Sequence, residues 1–221
     1  MSDSNSKSLV PIQSTKLAKV GDILKITEKL LSVKRYVPFL RKNGKYIFVD
    51  SVDMMPVFAK KEYDSASTFN GEFAIVKLNG KRGFVDKTGN EFVPLIYDDV
   101  NRFSEGLAAI NYDGKLGFID NTGKIVVPLI YDVVNRFSEG LATVYSHDNW
   151  GFIDKVGKIV IPQIFSYCQS FSEGMAGVEL NGKYGFVDKI GNVVVPIIYD
   201  NSSTFVVLNF PSWDGIRNLT D

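Results

Sequence analysis

Apolar residues along most of this chain come in short runs separated by small turn-forming groups, a pattern of strands rather than helices. Residues 107–112 make one such run. Asp113-Gly114 follows, and Asn79-Gly80 and Asn181-Gly182 stand in the same relation to their own runs. These dipeptides suit a two-residue type I′ hairpin, which needs positive φ at both central positions. Residues 116–120 make a second run, Asn121-Thr122-Gly123 a second turn, and residues 124–131 a third run rich in β-branched side chains. Pro128 lies inside that third run and has no N–H for a ladder, which predicts an edge or a bulge there. The expected element is an antiparallel meander of about three strands, with 132–140 returning the chain to the next one.

The meander is repeated. Gly-Phe recurs at Gly83, Gly117, Gly151 and Gly185, a step of 34 residues each time. A Pro follows on the same step at Pro94, Pro128, Pro162 and Pro196, and Phe-Ser-Glu-Gly starts at Phe103, Phe137 and Phe171. Residues 77–110 and 111–144 agree at 22 of 34 positions, too many for two unrelated segments. A fixed period of this size marks a repeat architecture. Five units are read at 43–76, 77–110, 111–144, 145–178 and 179–212, the first degenerate and the last running out into a C-terminal cap. Residues 1–35 differ: a polar tail precedes a stretch, 16–31, in which Leu17, Val20, Leu24, Thr27 and Leu31 make one apolar stripe at helical spacing. We read it as an amphipathic helix capping the apolar end of a repeat stack.

These elements resemble the WG-repeat family of bacterial β-repeat proteins. The likeness is carried by Trp150-Gly151-Phe152-Ile153-Asp154-Lys155, by Gly157-Lys158, by Ile161-Pro162, and by Tyr131-Asp132 with Phe137-Ser138-Glu139-Gly140-Leu141-Ala142. It spans about residues 43–205. The family's name-giving Trp stands only at Trp150; Arg82, Leu116 and Tyr184 hold the equivalent positions. The resemblance implies an all-β repeat fold and a non-enzymatic interaction role.

Repetition changes how polar residues are read. Asp86, Asp120, Asp154 and Asp188 occur once per unit, three residues before a glycine, and are read as carboxylates accepting backbone hydrogen bonds in a turn. A calcium loop concentrates several ligands in one segment, whereas this pattern supplies one per turn. Ser104, Ser138 and Ser172 lack the spacing of a nucleophile elbow. His147, the only histidine, sits with Asp148 where other units have their hairpin dipeptide. The glycine of each Gly-Phe pair is expected to admit a large side chain from the adjacent repeat. Tyr97, Tyr131 and Tyr199 could stack sugars, but each ends a strand and is read as structural.

Lys and Arg together number 25, as do Asp and Glu, so no net charge draws the chain to nucleic acid or an anionic membrane. Cys168 is the single cysteine, which excludes an internal disulfide and a cysteine-based metal cluster. No stretch has the length and apolarity of a membrane span. The expectation is therefore an all-β open stack of tandem hairpin meanders (solenoid-like), because 34 residues is short for a four-stranded propeller blade of about 40–45 and a capping helix suits an open end; a small β-propeller is the alternative. No catalytic residue, metal or cofactor is expected, and a cytoplasmic monomer is. The partner is expected to be another protein, or alternatively a carbohydrate or cell-wall glycan. Binding candidates come from the unit that departs most from the pattern: His147, Trp150 and Tyr167, an isolated Trp and Tyr being the composition of an interface hot spot.

Overall fold

The computed structural model describes residues 35–58 and 61–200. The chain divides into two compact units at Glu62/Tyr63. The predicted helix at 16–31 and the C-terminal cap beyond 200 lie outside the described residues. In the first unit β1 (Tyr36–Leu40) and β2 (Tyr46–Asp50) form an antiparallel hairpin. Its packing is aromatic: the Phe58 ring lies 5.2 Å from Phe48 and 5.7 Å from Tyr36.

The second unit holds four antiparallel sheets in tandem, each of four strands in chain order and none closed into a barrel. The first comprises β3 (Ser65–Ala66), β4 (Phe73–Leu78), β5 (Lys81–Asp86) and β6 (Glu91–Tyr97). The second comprises β7 (Asp99–Val100), β8 (Leu107–Tyr112), β9 (Lys115–Asp120) and β10 (Ile125–Tyr131). The third comprises β11 (Val133–Val134), β12 (Leu141–Ser146), β13 (Asn149–Asp154) and β14 (Ile159–Phe165). The fourth comprises β15 (Tyr167–Cys168), β16 (Met175–Leu180), β17 (Lys183–Asp188) and β18 (Val193–Tyr199). Three of these strands per sheet match the sequence reading. The fourth is a two-residue strand cut from the return segment, which is how four strands fit in 34 residues. It also sets the phase, because the boundaries 110/111 and 144/145 fall inside β8 and β12.

The hairpins form as their dipeptides require. Asp113 and Gly114 have φ of 53° and 76°, and His147 and Asp148 reach 51° and 63° without a glycine. At Pro128 the β9–β10 register shifts, so the proline sits in a bulge, on a strand that is also the sheet edge. There its ring and missing N–H block pairing with another chain.

The bulge explains the Gly-Phe pair. A Cβ built on Gly117 would stand 2.4 Å from the Val127 carbonyl oxygen and 2.6 Å from that of Pro128. Gly83, Gly151 and Gly185 meet the equivalent backbone at 2.4, 2.7 and 2.6 Å. The close neighbour is thus the bulged strand of the same sheet, not the large side chain from the adjacent repeat that the sequence suggested. A bulge pushes carbonyls toward the facing strand, and only hydrogen fits beneath them.

Each interior is shared by two sheets. Phe84, Val93 and Tyr97 of the first sheet pack with Val100, Ala108, Ile110 and Ile119 of the second. Leu107, Phe118, Val127 and Tyr131 of the second pack with Val134, Phe137, Val144 and Ile153 of the third. Phe152, Ile161 and Phe165 of the third pack with Cys168, Phe171, Val178 and Val187 of the fourth. Each of the Val, Leu, Ile and Phe side chains among them contributes about 1.5–3 kcal/mol when buried. A sheet removed from its neighbours would expose both of its apolar faces and lose most of that.

Candidate binding surface

Two kinds of polar contact tie successive sheets, and both are built from repeated residues. At the end of the strands opposite the hairpins, the Ser104 hydroxyl donates to the Phe137 carbonyl at 3.0 Å, and Ser138 to Phe171 at 2.8 Å. Beside them Glu105 accepts from the Gly140 N–H at 3.0 Å and pairs with Lys155 at 3.1 Å. Glu139 does the same one repeat later, with Gly174 and Lys189 both at 2.9 Å. Burial opposes ionisation of Glu105, but the Lys155 and Gly140 hydrogen bonds outweigh it and lower its pKa. For Glu139 the bond from Lys189 comes first and lowers it likewise. Both glutamates sit at positive φ, 51° and 53°, a conformation ordinary residues avoid. Glu173 has the same φ, 53°, in the last sheet, so the turn itself sets this conformation, and Glu105 and Glu139 use it to reach the next sheet. Where the first copy has Gly71 instead of Glu, the lysine position it would meet holds Asn121.

At the hairpin end, an aspartate just past the sheet pairs with a hairpin lysine in the first, second and fourth sheets, and Asp98 also reaches the next hairpin. Asp98 accepts from the Asp113 N–H at 2.8 Å and pairs with Lys81 at 2.5 Å; Lys115 and Asp132 pair equivalently at 2.5 Å, and Lys183 pairs with Asp200. The hydrogen bond from Lys81 lowers the pKa of Asp98 and raises that of Lys81. In the third sheet both partners change together, to Asn149 and Ser166.

The once-per-unit aspartates are turn residues. Asp120 Oδ1 accepts from the backbone of Thr122 at 2.8 Å and Lys124 at 3.1 Å, and from the Thr122 hydroxyl at 2.6 Å. Asp154 and Asp188 make the same pair of backbone bonds. Among the described residues, no group of three or more His, Cys, Asp or Glu is placed to hold a metal, and no helix is long and apolar enough to cross a membrane.

With the framework accounted for, the third unit's departures separate into two groups. His147 is exposed in its turn and belongs to a local polar network. Its Nδ1 lies 3.3 Å from Ser146 Oγ, which accepts from Gln163 at 2.9 Å, while Asn149 donates to the His147 carbonyl at 3.0 Å. These four residues replace the lysine–aspartate clamp, a structural reason for the local change.

Trp150 and Tyr167 form the other group. They stand on β13 and β15 of adjacent sheets, at the positions occupied two repeats earlier by Arg82 and Asp99, which bridge the first and second sheets at 3.3 Å. Leu116 and Val133 hold the positions between. The same structural slot thus passes from ionic to aliphatic to aromatic along the stack. Trp150 packs against the core of the third and fourth sheets and its ring lies 5.2 Å from Tyr145, its cross-strand partner. Tyr167 is 44% exposed and pairs across the strands with Glu179, whose other neighbour is Tyr184. A hydrogen bond from Tyr184 to Glu179 raises the tyrosine's pKa. Tyr145, Trp150, Tyr167 and Tyr184, with Glu179 between the last two, therefore lie along one row, its two sheets joined at the positions that Arg82 and Asp99 bridge two repeats earlier. Of these, the sequence had singled out Trp150 and Tyr167; Tyr145 and Tyr184 were missed because their place in the row depends on register. Of the three tyrosines considered for sugar stacking, Tyr97 and Tyr131 are only 7% and 4% exposed, with burial raising the pKa of both, while Tyr199 is 41% exposed.

Tandem four-stranded antiparallel sheets with shared interiors define a β-repeat protein. The WG-containing repeat model matches residues 57–81, 83–115, 117–149, 150–184 and 184–206, together more than half of the chain. The chain belongs to that family. No curated protein matches it. Among solved structures, a eukaryotic initiation factor is similar over 74% of this chain and 51% of its own, at 11% identity and a TM-score of 0.52, a likeness of fold alone. The computationally designed protein Ika8 gives 15% identity over 72% and 57%, with a TM-score of 0.40. BamB from Moraxella catarrhalis gives 12% over 72% and 57%, with a TM-score of 0.38. The chain spans between half and three-fifths of these three solved chains.

Proposed function

We propose that this protein is a non-enzymatic scaffold that binds another protein through the non-repeating side chains displayed on its stacked sheets. The observation that carries the reading is the aromatic row at Tyr145, Trp150, Tyr167 and Tyr184, set on a framework whose other repeated residues hold the sheets together. Trp and Tyr supply large contact area with few rotatable bonds, and a rigid stack avoids much of the ordering cost of association. The burial of Tyr97 and Tyr131 weighs against a glycan ladder built from the repeated tyrosines.

The test is cross-linking and capture from native extract with four full-length baits: wild type, Tyr167→Ala, Trp150→Ala and the control Thr88→Ala. A protein captured by wild type and lost from both variants, while Thr88→Ala retains it, supports the reading. Equal recovery on all baits sinks it.

A further inference from the structure

The loops that follow the two-residue strands carry a second departure, in the second and third sheets. Asn101 and Arg102 follow β7, and Asn135 and Arg136 follow β11. With Val134 these residues line one open depression of about 370 Å³ between the two sheets. Both arginines are exposed, and neither makes an ion pair or side-chain hydrogen bond with another described residue. Most other cations of the stack are engaged: Lys81, Arg82, Lys87, Lys115, Lys155, Lys183 and Lys189 each have a carboxylate partner. The acids nearest in sequence, Asp99 and Glu105 to Arg102 and Glu139 to Arg136, are already taken by Arg82, Lys155 and Lys189. The fold does not require arginine here, because the flanking copies have Thr68 and Ser170. Two uncompensated guanidinium groups thus share one cleft, each with a planar fork of donors suited to a carboxylate.

We infer that this cleft is a docking site for a partner segment carrying two acidic side chains, one for Arg102 and one for Arg136. The depression is open to solvent, whereas sites for small molecules enclose most of the ligand. A neutral chain with two such arginines also lacks the extended basic track that nucleic acid needs. The separation of packed sheets, about 10 Å, sets the spacing of the two acids. A polyproline-type segment presents positions i and i+3 about 9 Å apart on one face. The inference rests on the protein-binding reading above for its ligand class. Its site is separate from the aromatic row, so either can fail alone.

The probe is a fluorescent peptide with the core Glu-Pro-Pro-Glu, compared with Gln-Pro-Pro-Gln by anisotropy against the full-length chain. The acidic peptide should bind more tightly, and increasingly so at low salt. Arg102→Gln and Arg136→Gln should each weaken it by about five-fold or more, and the double variant should reduce it to the level of the Gln peptide. Tyr167→Ala should leave it unchanged. Both arginines are exposed, so the variants should melt like wild type. Equal binding of the two peptides, or unchanged affinity in the double variant, overturns the inference. So does a fluorescent oligothymidylate that outbinds the acidic peptide and depends on the same two arginines.

Discussion

Gly117→Ala adds one carbon where the structure has no room for it. The new Cβ would stand 2.4 Å from the Val127 carbonyl oxygen and 2.6 Å from that of Pro128. Carbon–oxygen contacts between strands ordinarily settle at about 3.3–3.6 Å, so the shortfall is about 1 Å. Both clashing atoms are backbone, held in a bulge whose proline already fixes φ, so no rotamer change relieves them. Overpacking of a rigid site costs about 1–3 kcal/mol, and this site belongs at the upper end. For a chain of this size, that corresponds to a melting temperature lower by roughly 6–12 °C. Gly177→Ala is the matched control. Its Cβ also makes a short contact, 2.8 Å, but with the end of the Gln169 side chain, which can turn away. Ala109 and Thr143 already fill that position in the two preceding sheets. Thermal melts by circular dichroism should therefore show Gly117→Ala strongly destabilised and Gly177→Ala within a degree or two of wild type. Equal melts for Gly117→Ala and wild type, or equal losses for the two variants, would refute the account of the bulge.

Two further outcomes follow from buried and bridging groups. Cys168 is buried and its thiol pKa is pushed up to about 12 by desolvation, so it should resist an aromatic disulfide reagent at pH 8 until denaturant is added; rapid labelling of the native chain would contradict its placement. Glu139 has a lowered pKa, so its contribution is present above the ordinary carboxylate range and lost as pH falls through the folded-state value. Glu139→Gln should cost up to about 1 kcal/mol at pH 7, the scale of a solvent-screened pair. Melts of the two proteins should converge near pH 2, and a gap that persists there would show that the carboxylate charge is not what matters.

Much of the stack was legible because repetition multiplies weak local signals. The dipeptides at Asn79, Asp113 and Asn181 announced their hairpins, and the series from Asp86 to Asp188 announced its turns through spacing alone. Pro128 announced a bulge because it has no N–H. What stayed hidden depends on partners distant in sequence. The two-residue strands, such as Asp99–Val100, are too short to carry a period and exist only by pairing with β8. The reach of Glu105 to Gly140 and Lys155 crosses to the next sheet, and the clash that demands Gly117 comes from a bulge whose shape the residue string does not state. Arg102 and Arg136 escaped notice for another reason. They stand in two nearly identical copies, where they read as part of the repeat; only the cleft they share, and the engagement of the acids around them, sets them apart.

The most direct test is to excise the second sheet, residues 99–131, and follow its thermal unfolding beside the full chain. Because Phe118 and Ile119 are buried against different neighbouring sheets, the isolated segment should show no cooperative transition, while the full chain melts as a β protein. A sharp, reversible melt of the lone segment with a β-sheet spectrum would contradict the claim that each sheet stands only by its neighbours.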